Sequence, residues 1–223
     1  LVGTLRKMLE KDANINVNAL AAKCITNLAT GLRAKFGSHA STVTPAILEK
    51  FKEKKPILKD PLVECIDAVL ASTNLENLEE CLVVALGKPN PNIKSQTDLF
   101  LKRAFMKCTV SNMPKKTLKA LVPFLVKHTG DSDSDVRESA AGALGAVMAV
   151  IGEKPCMTML ADIADDKIKM AKIKENFDIL KGEVEQNEPI PPPVPPPKTE
   201  TKGPPSKGPM KKIPPKDNDD DDD

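Results

Sequence analysis

The sequence predicts an all-α fold, an α-solenoid of helix pairs followed by a proline-rich tail. Three observations carry that reading. Apolar residues recur at helical spacing through most of the chain, with no sustained strand alternation. Trp and Tyr are absent and Phe numbers six, which removes the aromatic content of a sandwich or barrel. Shorter and longer helices alternate with a period of about 35–43 residues, near that of HEAT and armadillo repeats.

With 223 residues, 40% of them hydrophobic, the chain is long enough to bury one or two cores. The first pair covers about 2–10 and 15–36. In its second helix, Val17, Leu20, Ala21, Cys24, Ile25, Leu28 and Leu32 form one apolar stripe. The next pair covers about 38–52, with Val43, Ile47, Leu48 and Phe51, and 57–73. The third covers about 75–87, with Leu75, Leu78, Leu82 and Leu86, and 91–109, with Ile93, Thr97, Phe100, Leu101, Ala104, Phe105 and Cys108. The fourth covers about 115–128, with Leu118, Leu121, Val122 and Leu125, and 135–151, with Val136, Ala140, Ala143, Leu144, Val147 and Ile151. Past Gly152 a short helix leads to a last one carrying Ile173, Phe177, Leu180 and Val184.

Polar turns separate the members of each pair: Lys11-Asp12-Ala13-Asn14, Glu53-Lys54-Lys55-Pro56, Lys88-Pro89-Asn90-Pro91 and Gly130-Asp131-Ser132-Asp133-Ser134. Asn14, Asn92 and Asp135 each precede an apolar anchor and are read as N-caps. Pro56 suits a first helical position, and Asp60-Pro61 is a rival start for the same helix.

Domain organisation follows from composition. Residues 1–181 form the helical body and 182–223 a linker. Residues 187–223 hold 12 of the 20 prolines, with 6 Lys against 8 acidic residues. Glu188 to Lys198 reads as polyproline II, Gly203 to Lys216 as a flexible basic spacer, and Asp219 to Asp223 as the end of a solvated acidic run. The whole chain is +2, whereas the first 186 residues carry 27 basic and 23 acidic side chains. That balance and the missing aromatics argue against nucleic-acid binding, and no apolar run approaches a membrane span. The five scattered cysteines, read as core thiols, suit a reducing, cytoplasmic setting.

Catalysis finds no support. His39 and His128 are far apart, neither has metal-ligand neighbours, and both read as helix-end or surface imidazoles. Phosphate-loop, dinucleotide and nucleophile-elbow motifs are absent, so no enzyme and no cofactor is expected. What the sequence offers is an edge. In a solenoid of helix pairs the intra-repeat turns emerge along one side, aligning Lys11, Lys52, Lys54, Lys55, Lys88, Lys94 and Arg137, diluted by Asp12, Glu53 and Asp131. A basic ridge of this kind fits a large acidic protein. The alternative is a generic HEAT scaffold that binds a partner on its concave face.

Several segments have a familiar cast. Lys11-Asp12-Ala13-Asn14, Ala19 to Cys24, Gly31 to Gly37, and most specifically Ile47-Leu48-Glu49-Lys50-Phe51-Lys52-Glu53-Lys54-Lys55-Pro56 resemble the TOG domains of the TOG-array microtubule polymerases, the family of the colonic and hepatic tumour overexpressed gene protein. Pro91 to Thr97, Asp131 to Arg137, Ala143-Leu144-Gly145 and Val150 to Lys154 continue the likeness, which covers about residues 1–181 and is greatest to the second TOG domain of such an array. The resemblance implies a paddle of HEAT repeats whose turns bind one αβ-tubulin dimer. Carried over position by position, the binding residues are Lys11, Asp12 and Asn14; Lys52, Lys54 and Lys55; Pro91, Asn92 and Lys94; and Ser132, Ser134 and Arg137. It also implies work at microtubule plus ends and spindle poles or the centrosome. The proline-rich tail is a candidate ligand for an SH3 or WW domain. One departure stands out: the family's first repeat, with a Trp in its turn, has no counterpart, and the chain begins at Leu1. The sequence is therefore expected to be either a truncated piece of a longer chain or the product of an incomplete gene model, lacking that first repeat, with a helix face left uncapped and weakened tubulin affinity.

Overall fold

Side-chain caps and N-terminal prolines start most of the long helices. In the computed structural model, which describes residues 1–187, Asn14 accepts the Asn16 N–H ahead of α2 (Ile15–Leu32) and Asn74 accepts that of Asn77 ahead of α5 (Leu75–Leu86). Asn90 accepts from Asn92 and Ile93 at α6 (Pro91–Met106), and Asp133 from Asp135 and Val136 at α8 (Ser134–Ile151). The expected caps Asn92 and Asp135 are thus corrected to residues two positions upstream. The reason is that the buried apolar anchor, Ile93 or Val136, sits at the third helical position, below a turn that is already helical. The two rival starts of α4 (Pro56–Ala71) resolve in favour of Pro56, where Leu58 N–H and Lys59 N–H both donate to Lys55 O, and Pro61 lies inside the helix.

The remaining elements are α1 (Val2–Lys11), α3 (Gly37–Lys50), α7 (Lys115–His128), α9 (Glu153–Met159) and α10 (Lys167–Asn187). The helix expected over 15–36 ends earlier. Arg33 takes a left-handed φ of 50°, and Arg33–Phe36 form a 3-10 turn that swings Phe36 wholly into the core. Gly37 then opens α3 against Ser72 O, where a Cβ would stand 2.8 Å from that oxygen. At the other end α10 continues past Lys181 to Asn187. Glu188 to Lys198, Gly203 to Lys216 and the Asp219 to Asp223 run lie outside the described residues.

Two layers result. The first helices α1, α3, α5 and α7 pack in series, and the second helices α2, α4, α6, α8 and α10 form the facing layer. One continuous apolar core runs between them, built on Phe36, Phe51, Phe100 and Phe105 with Leu, Ile and Ala. In α2 the packed face is Asn18, Ala19, Ala21, Ala22, Ile25 and Ala29 rather than the whole expected stripe, and Leu20 and Leu32 are exposed. Cys65 and Cys156 are buried, while Cys24, Cys81 and Cys108 are only half-buried, so the expectation of five core thiols holds for two. Among the second-layer neighbours, α4 and α6 touch least. A polar groove of about 700 Å³ opens beside this junction, lined by residues including Lys59, Gln96, Lys102 and Glu138. Asp67 of α4 bridges the junction by accepting two bonds from Arg103 of α6, at 2.8 and 3.0 Å.

Candidate functional site

The first, third and fourth intra-repeat turns are shaped by their own side chains. In the first, Asp12 Oδ1 accepts the Asn14 N–H at 2.8 Å, and buried Asn18 donates to Met8 O, Leu9 O and Asp12 O, closing the C-terminal end of α1. In the fourth, Asp131 Oδ1 accepts the Asp133 N–H, and Arg137 donates to the carbonyls of Asp131 and Ser132 at 2.9 and 2.8 Å.

The turns also neighbour one another. Glu10, in the last turn of α1, lines a shallow pocket with Glu49, Lys50 and Lys52. Lys88 Nζ of the third lies 3.3 Å from Glu49 at the end of α3, and Lys94 Nζ lies 2.7 Å from Asp131 Oδ2 of the fourth. These ion pairs tie Lys88 of the third turn to the end of α3, and Lys94, just after that turn, to the fourth.

The ridge residues fall into two groups. Lys11, Asn14, Lys52, Lys54, Lys55, Ser132 and Ser134 are exposed, and neither Lys54 nor Lys55 makes an ion pair among the described residues. Lys52 lies 4.0 Å from Glu49. The second group is engaged internally. Lys94, its side chain 19% exposed, is held by Asp131, and Lys94 together with the Asp133 N–H keeps the Asp131 carboxyl below its ordinary value. Arg137 is turned onto backbone carbonyls, half-buried Pro91 occupies the first position of α6, and half-buried Asp12 folds onto its own turn. Asn92 gives its N–H to Asn90 and its carbonyl to Ser95.

Sequence reasoning missed one buried polar cluster. His128 ends a helix as expected, but it is not at the surface: it faces Asp98 and Leu86 O and is 2% exposed. A signal existed, because Asp98 shares a helical stripe with Leu101 and Phe105, where a carboxylate is out of place unless it is paired. Asn18 and Ser139 were missed for the same reason. Among the described residues there is no cluster of three or more His, Cys, Asp or Glu able to hold a metal. No described helix is long and apolar enough to cross a membrane.

The two layers and the edge of turns define a helical-repeat solenoid domain. The chain belongs to the TOG-domain family: the family model described as XMAP215/Dis1/CLASP, TOG domain, matches residues 3–176. Zygote defective protein 9 of Caenorhabditis elegans is 66% identical over 175 residues, which is 78% of this chain and 12% of that protein. Protein mini spindles of Drosophila melanogaster is 45% identical over 175 residues, 78% of this chain and 8% of its own length. A structure solved in work on microtubule plus-end tracking by XMAP215, CLIP-170 and EB1 superposes with a TM-score of 0.76 at 43% identity, covering 81% of this chain and 74% of that one. The chain spans about a tenth of the length of these two relatives.

Proposed function

We propose that residues 1–181 form a non-enzymatic module that binds the αβ-tubulin dimer through its turn edge, with 182–223 as a linker, in a protein that promotes microtubule growth at plus ends and spindle poles or the centrosome. The observation that carries this is that Lys54 and Lys55, on one of the row of turns, are exposed and make no ion pair among the described residues, in a chain of the TOG family. Tubulin is strongly acidic, so the free cations of the ridge supply a salt-sensitive attraction, and the ordered turns supply shape. A ridge better matched to curved than to straight dimers would capture free subunits and release them as the lattice straightens them. Tethering several such modules would raise the effective concentration of subunits near the filament end. The proline-rich Glu188 to Lys198 is proposed as a separate SH3 or WW ligand.

Size-exclusion binding of the chain to αβ-tubulin tests the edge. The Lys54→Ala/Lys55→Ala double variant should weaken binding at least tenfold and leave thermal unfolding unchanged. Undiminished binding by that variant, with loss on Lys102→Glu in the α4/α6/α8 groove, would transfer the site to the concave face.

A further inference from the structure

Behind the third and fourth turns lies the buried cluster that the ridge itself does not use. His128 Nε2 stands 3.0 Å from Leu86 O, and its Nδ1 stands 3.0 and 2.9 Å from the two oxygens of Asp98. Ser139 Oγ donates to Asp98 Oδ2 at 3.3 Å. A carbonyl only accepts, so Nε2 carries a hydrogen, and a second proton is shared between Nδ1 and the carboxyl group. The four groups belong to four consecutive helices, α5, α6, α7 and α8.

Their location matters more than their strength. Leu86 is the last residue of α5 and His128 the last of α7, so one imidazole joins the points at which the chain enters the third and fourth turns. Outside the cluster, Lys94 of α6 and Asp131 span the same two turns, and Arg137 of α8 holds the carbonyls of the fourth. Apolar side chains of similar volume could fill such a site without loss of stability, but apolar contact is non-directional and sets no fixed angle between two turns. Directed hydrogen bonds do.

We propose that Asp98 and His128 are positioning residues of the binding edge: they hold the third and fourth turns as one preformed half-edge that meets a single face of the partner. The inference rests on the turn edge being the tubulin-binding surface. Two readouts test it in the full chain, αβ-tubulin binding and amide hydrogen exchange. Asp98→Ala should weaken binding at least fivefold while remaining folded at the assay temperature. It should speed exchange at residues 90–94 and 130–137 at least tenfold, leaving α2 and α4 unchanged. Asp98→Asn, whose amide can donate to Nδ1 and accept from Ser139, should restore both to within about threefold of the parent. Should Asp98→Ala not fold, His128→Gln, which cannot reach both partners at once, is read in the same way. Wild-type binding by the folded Asp98→Ala or His128→Gln variant, or exchange that rises uniformly across all helices, would overturn the proposal. The Lys54→Ala/Lys55→Ala variant is run beside them. If it alone loses binding, the edge stands and the positioning role falls; if it too binds normally, the edge reading falls first.

Discussion

Two glycines in α8 should respond in opposite directions to one substitution. A Cβ on Gly145 would lie 2.6 Å from Asn176 Cβ, 3.0 Å from Phe177 N and 3.1 Å from Ile173 O. Two of those three atoms are backbone of α10, so no side-chain rotation relieves the clash, and α10 must back away by roughly 1 Å from a face that buries Ile173 and Leu180. A Cβ on Gly142 would meet Lys102 Cδ at 3.3 Å and Asn176 Oδ1 at 3.6 Å, both on side chains that can move. In either place Ala gains about 1 kcal/mol of helix propensity over Gly. At Gly145 overpacking of about 2–3 kcal/mol outweighs that gain, for a net loss of about 1–2 kcal/mol. At Gly142 the propensity gain survives, for a net gain of up to about 1 kcal/mol. For a domain of this size the gap corresponds to about 2–12 °C between the two melting temperatures. Far-UV circular dichroism of the full chain through urea and thermal unfolding reads it, since the chain has no Trp or Tyr to report by fluorescence. If Gly145→Ala proves as stable as Gly142→Ala, α8 and α10 are not in backbone contact as described, and the reasoning fails.

Other consequences are equally direct. His128→Ala, which strands the buried Asp98 carboxylate without its partner, should cost about 3–5 kcal/mol in urea unfolding at pH 7. Burial pushes the Asp98 carboxyl up to about 6 from 3.8. Asp131 behaves in the opposite sense. Its carboxyl is held low by Lys94, so Lys94→Met should cost about 0.5–1 kcal/mol at pH 7, and that cost should vanish as pH falls through the lowered value. Burial raises the Cys65 and Cys156 thiols to about 12, so iodoacetamide at pH 8 should label the half-buried Cys24, Cys81 and Cys108 first, as peptide mass spectrometry would record.

The ridge was legible in outline, because the order of turns along a solenoid follows from connectivity alone. Which lysines on it are available was not. Lys54 and Lys94 look alike in sequence, each a cation in or just after a turn, yet Lys54 is exposed with no ion pair among the described residues while Lys94 is paired with a carboxylate 37 positions away. Asp98 and His128 are 30 positions apart and meet only because α6 and α7 each pack against α5 and α8. His128 in isolation looks like any helix-end imidazole.

By itself the sequence determined the helices, their pairing, the turns and the family likeness, because 3.6-residue periodicity, caps and prolines act within a few residues of one another. The tertiary structure alone decided which face of α2 is buried, where α2 stops, which glycines are crowded and which charges are already neutralised. Those outcomes depend on atoms brought together from different repeats, across separations that no local pattern encodes.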